Sequence, residues 1–232
     1  MSVEKKYNHI FTTVYEDNHL IAVNKRSGVL VQGDATGDKP LVDWVKDYLK
    51  EKYQKEGNVF CGVIHRIDRP VSGLVLLAKT SKGLERMNEV FRENKVKKTY
   101  LAITERRPKN SEDTLINWLR KDSKKHFAIV YNTEVKDSLK SELSFTLLSE
   151  LNPYYLLEVR PVTGRFHQIR AQLSKIGCSI VGDVKYKGER PNDDASICLH
   201  AFKINFIHPI KNEPVEIKAE VPQNKYWEKV RL

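Results

Sequence analysis

A chain of 232 residues, 40% hydrophobic and 30% charged, is long enough to bury a sizeable core and reads as an ordinary globular protein. Its formal net charge of +10 suits a polyanionic partner such as RNA or DNA, although many basic proteins bind no nucleic acid. No apolar run is long enough to span a membrane, and MSVEKKYNHIF at the start has no signal-peptide core. The three cysteines, Cys61, Cys178 and Cys198, form no metal-type pair and are odd in number, which argues against a disulfide framework or a zinc site. The expectation is a cytoplasmic monomer with buried, reduced thiols.

In chain order, residues 11–25 predict two short strands about a turn at Glu16, Asp17 and Asn18. Lys25 to Gly28 reads as a turn, and residues 32–40 as a polar loop. Leu41, Val45, Tyr48, Leu49 and Tyr53 fall at helical spacing in a segment that runs out by Gly57. Phe60 to Ile64 reads as a strand. Gly73 to Lys79 reads as a second, apolar on both faces and therefore central. Thr80 or Ser81 can cap a helix carrying Leu84, Met87 and Phe91. A strand then begins at Tyr100, and residues 111–160 are mostly β.

A helix is expected after Gly164, with Phe166, Ile169, Leu173 and Ile176 on one face and His167 beside Arg170 on its flank. Gly182 to Gly188 reads as a turn. Cys198 to Pro209 and Val215 to Pro222 should pair as a hairpin, and Tyr226 to Leu232 reads as a short amphipathic helix. Strands that follow one another and outnumber helices predict an α+β fold with a mainly antiparallel sheet. No Gly/Ser/Pro-rich linker divides the chain, so a single domain over residues 1–232 is expected.

The densest chemistry lies in HRIDRPVSG, His65 to Gly73. A kinase catalytic loop is excluded: Ile67 separates Arg66 from Asp68, and neither a glycine-rich nucleotide loop nor a D-F-G accompanies it. Asp68 can serve as acid, base or nucleophile, but an Asp between two arginines is more often a loop carboxylate paired with one of them. A second element of the same character, GRFHQIR at Gly164 to Arg170, shifts that balance. A helix-borne arginine facing the carboxylate would keep it ionised and oriented.

HRIDRPVSGLVLLAKT resembles the signature of the RluA-type pseudouridine synthases. The resemblance extends through EDNHLIAVNKRSGVLV, KKTYLAI, TGRFHQIR, the Gly182 to Gly188 turn with Lys187 inserted, Leu199-His200-Ala201 and His208-Pro209, over residues 10 to 222. It implies an α+β pseudouridine synthase fold: a bisected, mainly antiparallel sheet with surrounding helices, and two subdomains around a central catalytic cleft. No small N-terminal RNA-binding domain is expected ahead of it.

The implied reaction isomerises uridine in ribosomal or transfer RNA to pseudouridine, without cofactor or metal. Asp68 is the implied essential carboxylate, acting on the anomeric carbon or on a ribose proton. Tyr100 is the implied active-site tyrosine and Arg170 the arginine that pairs with the carboxylate. By itself Tyr100 would read as a core aromatic and Arg170 as a surface cation. Arg66 matches the position proposed to fill the stack left by a flipped-out uridine. His65, Arg69, Arg165, His167 and Gln168 are candidates for holding the loop or the RNA backbone. Basic segments at Arg92 to Lys98 and Arg120 to Lys125 are further RNA candidates. Val71 stands where the family usually has Thr, and Arg26-Ser27 where it usually has Pro-Ala. A non-catalytic RNA-binding or chaperone protein on this scaffold is the alternative. A small-nucleoside hydrolase is disfavoured by the charge and the lack of a metal-type Asp cluster.

Overall fold

The stretch Ser72–Ala78 is buried at every residue, because both of its edges are paired and both faces are covered. It is the centre of the first of two compact units into which the chain divides in the computed structural model, which describes residues 3–231. That unit holds the chain up to Lys97 together with Ala201–Pro222; the other holds Lys98–His200 with the residues from Gln223 on.

The elements run α1 (Val3–Tyr7), β1 (Phe11–Glu16), β2 (Leu20–Lys25), α2 (Leu41–Lys52), β3 (Gly62–Val63), β4 (Ser72–Ala78), α3 (Ser81–Arg92) and β5 (Lys97–Thr104). They continue with β6 (Glu112–Asp122), β7 (Phe127–Tyr131), β8 (Leu139–Glu150), β9 (Tyr155–Pro161), α4 (Gln168–Lys175), a 3-10 turn (Val184–Tyr186), β10 (Leu199–Ile207) and β11 (Pro214–Lys218). The class is α+β and the strand pairing is antiparallel throughout the registers described below.

In the first unit β2 lies between β1 and β4, in register from Leu20 opposite Ala78 to Lys25 opposite Gly73. β3 covers only Leu77 and Ala78 on the other edge of β4, and β10 borders the rest of it. Gly73 is required at that border. A Cβ there would sit 2.3 Å from the Ala201 carbonyl oxygen, and its φ of +111° is one that glycine alone adopts readily. The expected hairpin forms, with β10 and β11 paired from Lys203 opposite Lys218 to Ile207 opposite Pro214. Thr80 is the cap of α3, its Oγ1 accepting the Gly83 N–H at 3.0 Å.

In the second unit the strand order is β5-β9-β8-β6-β7. Leu119, Ala128, Ala171 and Tyr186 form a small buried cluster with Phe127 and Val130, which seats α4 against the β6–β7 hairpin.

Three expected elements differ. The strand at Phe60 to Ile64 shrinks to β3, with Phe60 exposed, since β10 occupies the edge it would have extended along. α4 starts at Gln168, because His167 takes a left-handed φ of 52° that cannot continue an α-helix; Phe166 therefore lies outside it. The C-terminal segment is a turn: Asn224 accepts the Trp227 and Glu228 N–H groups through its carbonyl, and Trp227 and Val230 are buried. Leu232 lies outside the described residues.

Candidate active site

The loop from His65 to Val71 joins β3 to β4 and is braced from several sides. Where β3 ends, the His65 Nε2 takes over the ladder and accepts the Leu76 N–H at 3.0 Å, while its ring stacks on Phe91 at 5.2 Å. Ile67 and Val71 are buried anchors. The Val71 N–H donates to the Asp68 carbonyl at 3.1 Å, and its side chain is buried, where a hydroxyl would need its own partner. Arg69 is woven into the turn after β2. Its carbonyl accepts the Gly28 N–H at 2.8 Å, its Nε donates to the Gly28 carbonyl at 2.9 Å, and its Nη2 lies 2.8 Å from Asp38. Arg66 is exposed, with a long contact of 3.4 Å to Gln32 Oε1. Asp68 lies half-buried between these two differently employed arginines.

Under the loop sits Lys25, which the sequence pattern placed in a turn. It is the last residue of β2 and fully buried. Its Nζ donates to the Arg26 carbonyl at 2.9 Å and the Arg69 carbonyl at 3.3 Å. Burial pushes its ammonium down to about 7, against the attraction of the Asp68 carboxylate, and the Arg69 charge adds to the lowering. The sequence signal was there: a lysine closing a strand that opens with the apolar run LIAV, Leu20 to Val23. Arg26 shows why proline is dispensable beside it, since its N–H donates to the Ile10 carbonyl at 2.9 Å and its Nε to the Asn8 carbonyl at 3.1 Å.

In the second unit Tyr100 lies on β5, half-buried and opposite Val159. The turn from Thr163 to His167 is closed by Gln168. Its Oε1 accepts from Thr163 Oγ1 at 2.7 Å and from the Arg165 N–H at 3.0 Å, and its Nε2 donates to the Glu142 carbonyl at 3.0 Å. A side chain employed on three sides within the protein holds the turn. Arg165 is exposed, with its Nε on the Lys140 carbonyl at 3.0 Å.

The His167 ring stacks on Phe166 with centroids 3.8 Å apart, and its Nδ1 lies 2.9 Å from the Tyr186 hydroxyl. That hydroxyl also accepts the Ala128 N–H at 2.8 Å. Arg170 is buried, not on a surface flank. It holds Asp183 bidentately, Nε to Oδ2 at 2.7 Å and Nη2 to Oδ1 at 2.8 Å, with its guanidinium 5.0 Å above the Tyr186 ring. Asp183 and Tyr186 were assigned no role from the sequence; their place in the glycine-bounded turn GDVKYKG was the available signal.

The loop thus brings His65, Arg66, Asp68 and Arg69 together in one unit. The turn and α4 bring Arg165, His167, Gln168 and Arg170 together in the other, with Tyr100 on its strand β5. Among the described residues no group of three or more His, Cys, Asp or Glu side chains is placed to hold a metal ion, and no helix is long and apolar enough to cross a membrane.

Residues 19–175, which include Asp68, Tyr100 and Arg170, match the family model described as RNA pseudouridylate synthase. The chain belongs to that family. Ribosomal large subunit pseudouridine synthase C of Rickettsia prowazekii (strain Madrid E) is 34% identical over 211 residues, covering 90% of this chain and 67% of the relative. The tRNA pseudouridine synthase C of Vibrio parahaemolyticus is 29% identical over 226 residues, covering 90% of this chain and 89% of the relative. Among solved structures, human RNA Pseudouridylate Synthase Domain Containing 4 superposes with a TM-score of 0.79 at 20% identity, over 98% of this chain and 93% of that one, a likeness of fold. As an RNA pseudouridine synthase the chain is an isomerase, and its substrate is uridine within RNA.

Proposed function

We propose that this pseudouridine synthase acts on ribosomal or transfer RNA, the substrates named for its relatives, and that Asp68 is the carboxylate that opens the glycosidic bond. The observation that carries the assignment is the loop itself. Lys25, His65, Ile67, Arg69 and Val71 are all employed in fixing its backbone, so the half-buried Asp68 is held on a rigid support and Arg66 projects beside it. Attack on the anomeric carbon and removal of a ribose proton both require the ionised carboxylate. Either releases uracil at nitrogen 1. The base turns and bonds to the anomeric carbon through carbon 5, displacing the carboxylate or, from the glycal, with return of the ribose proton, and the proton displaced from carbon 5 is balanced by one gained at nitrogen 1. The step is an isomerisation with no net redox change.

In this reading the Tyr100 ring carries the base, Arg170 keeps the carboxylate ionised, and Arg66 enters the stack that the flipped uridine leaves. The test is Asp68→Asn, which removes the ionised oxygen at nearly constant shape. Pseudouridine formation is expected to vanish under single-turnover conditions while RNA binding stays within about threefold of wild type, a change of under 1 kcal/mol. A variant that turns over near the wild-type rate overturns the assignment. Mapping the uridines that lose modification in a deletion strain decides between the two RNA classes.

A further inference from the structure

The lysines that leave solvent in this chain reach an acceptor. Lys79 Nζ lies 2.6 Å from Glu16, and the fully buried Lys25 has its two carbonyls. Lys98 departs from that pattern. It is half-buried at the start of β5, and burial lowers its ammonium from the ordinary lysine value with no carboxylate near enough to offset the effect. Among the described residues no carboxylate, carbonyl or hydroxyl takes a hydrogen bond from it. A cation withdrawn from water without a counter-charge is unfavourable, and an anion brought to it relieves that cost.

The surroundings point to a place for that anion. Side chains two apart on a strand share a face, so Lys98 lies on the same face of β5 as Tyr100. Its ammonium reaches the turn before α4. A Cβ built on Gly164 would lie 3.6 Å from Lys98 Nζ and within 4 Å of no other heavy atom outside the adjoining residues. The absence of a side chain at Gly164 therefore leaves an open notch with the ammonium beside it. Arg165 follows directly, exposed, tethered only through its Nε to Lys140 and in no ion pair among the described residues.

We propose that Lys98, the Gly164 notch and Arg165 form a phosphodiester-binding site, which holds the RNA backbone beside the nucleotide whose base lies on Tyr100. The placement of that nucleotide rests on the proposed role of Tyr100. The binding of a phosphate does not, and it can be read without turnover.

The probe is a fluorescein-labelled RNA hairpin with a uridine-rich loop, titrated with wild-type, Lys98→Met, Lys98→Gln and Lys98→Arg proteins across a range of salt concentrations. Loss of one phosphate contact flattens the plot of log affinity against log salt by roughly 0.7 to 0.9. Lys98→Met is expected to show that change, with Kd weakened roughly tenfold at low salt, and Lys98→Arg to restore most of the wild-type slope. Lys98→Gln gives the same readout should the methionine variant fail to fold. A slope unchanged in the Met and Gln variants overturns the site, as does a Lys98→Arg protein that loses as much as the neutral variants. Since binding is measured, these outcomes stand whether or not Asp68→Asn abolishes isomerisation.

Discussion

Arg170 and Asp183 form a bidentate pair almost wholly out of solvent, at 2.7 Å and 2.8 Å, with side-chain exposures of 6% and 1%. The pair locks α4 to the turn that follows it, and the Tyr186 ring lies under the guanidinium. Removing the Asp183 carboxylate takes the bidentate counter-charge from a buried guanidinium. Asp183→Asn is expected to cost about 3 kcal/mol, and Arg170→Lys somewhat less, because an ammonium keeps the charge but loses the fork. Urea unfolding of the two variants measures this. A stability within about 0.5 kcal/mol of wild type for Asp183→Asn would show that the pair does not order the turn.

That pair also marks where sequence reading stops. The run Ser72–Ala78, the α2 periodicity, the Thr80 cap and the β10–β11 hairpin were legible because each is a local pattern of polarity or turn chemistry. HRIDR was legible as a dense motif. The identity of each side chain's partner was not. His65 meets Leu76, Lys25 meets the Arg69 carbonyl, and Gln168 meets Glu142, contacts made across different elements that no periodicity encodes. The start of α4 was misplaced for a related reason: apolar spacing includes Phe166, but the left-handed backbone at His167 is set by the turn that Gln168 closes.

Lys25 gives the protein a stability that depends on pH in a stated direction. Its proton is bound near pH 10 in the unfolded chain but only to about 7 in the folded one, so the unfolded state binds more protons between those values. The destabilisation is therefore full below about pH 7 and fades as pH rises. Relative to Lys25→Met, wild type should gain on the order of 2 kcal/mol between pH 7 and pH 9. The variant should also lose activity, since the Arg69 carbonyl loses a donor. Parallel denaturation curves at the two pH values check the first claim; an identical wild-type-to-variant difference at both contradicts it.

The strand-turn at Asp17 works in the opposite sense. Burial disfavours its charge, but the N–H groups of His19 and Leu20, the Lys211 ammonium and the Tyr15 hydroxyl outweigh burial and hold the carboxyl well below its usual range. His208 joins them. Its Nδ1 accepts the Ile210 and Lys211 N–H groups at 3.2 Å and 3.0 Å, and its Nε2 lies 2.9 Å from Asp17 Oδ2. A depressed carboxyl stabilises the fold above about pH 4 and loses that effect as pH falls further. Asp17→Asn should cost about 2 kcal/mol at neutral pH and unfold less steeply than wild type below pH 4. Unfolding midpoints followed from pH 7 to pH 3 test both parts, and a constant gap between the two proteins across that range would falsify the linkage.

Arg66 is the loop side chain least committed to the protein: exposed, with a 3.4 Å contact to Gln32, while its neighbour Arg69 is bound to Gly28 and Asp38. A guanidinium held only by one long contact, two residues from Asp68, can enter a base stack without first breaking a strong bond. The benefit appears only where a stack exists to be refilled. Opening one costs a few kcal/mol in folded RNA and little in an unstructured strand. Arg66→Ala is therefore expected to slow single-turnover isomerisation roughly a hundredfold on folded RNA, close to 3 kcal/mol, and less than about fivefold on an unstructured RNA carrying the same uridine. Arg66→Lys, which keeps the charge but not the plane, should resemble Arg66→Ala on the folded substrate. Equal losses on both RNAs would assign Arg66 to phosphate binding, and the salt dependence of its Kd would then flatten as it does for a lost backbone contact.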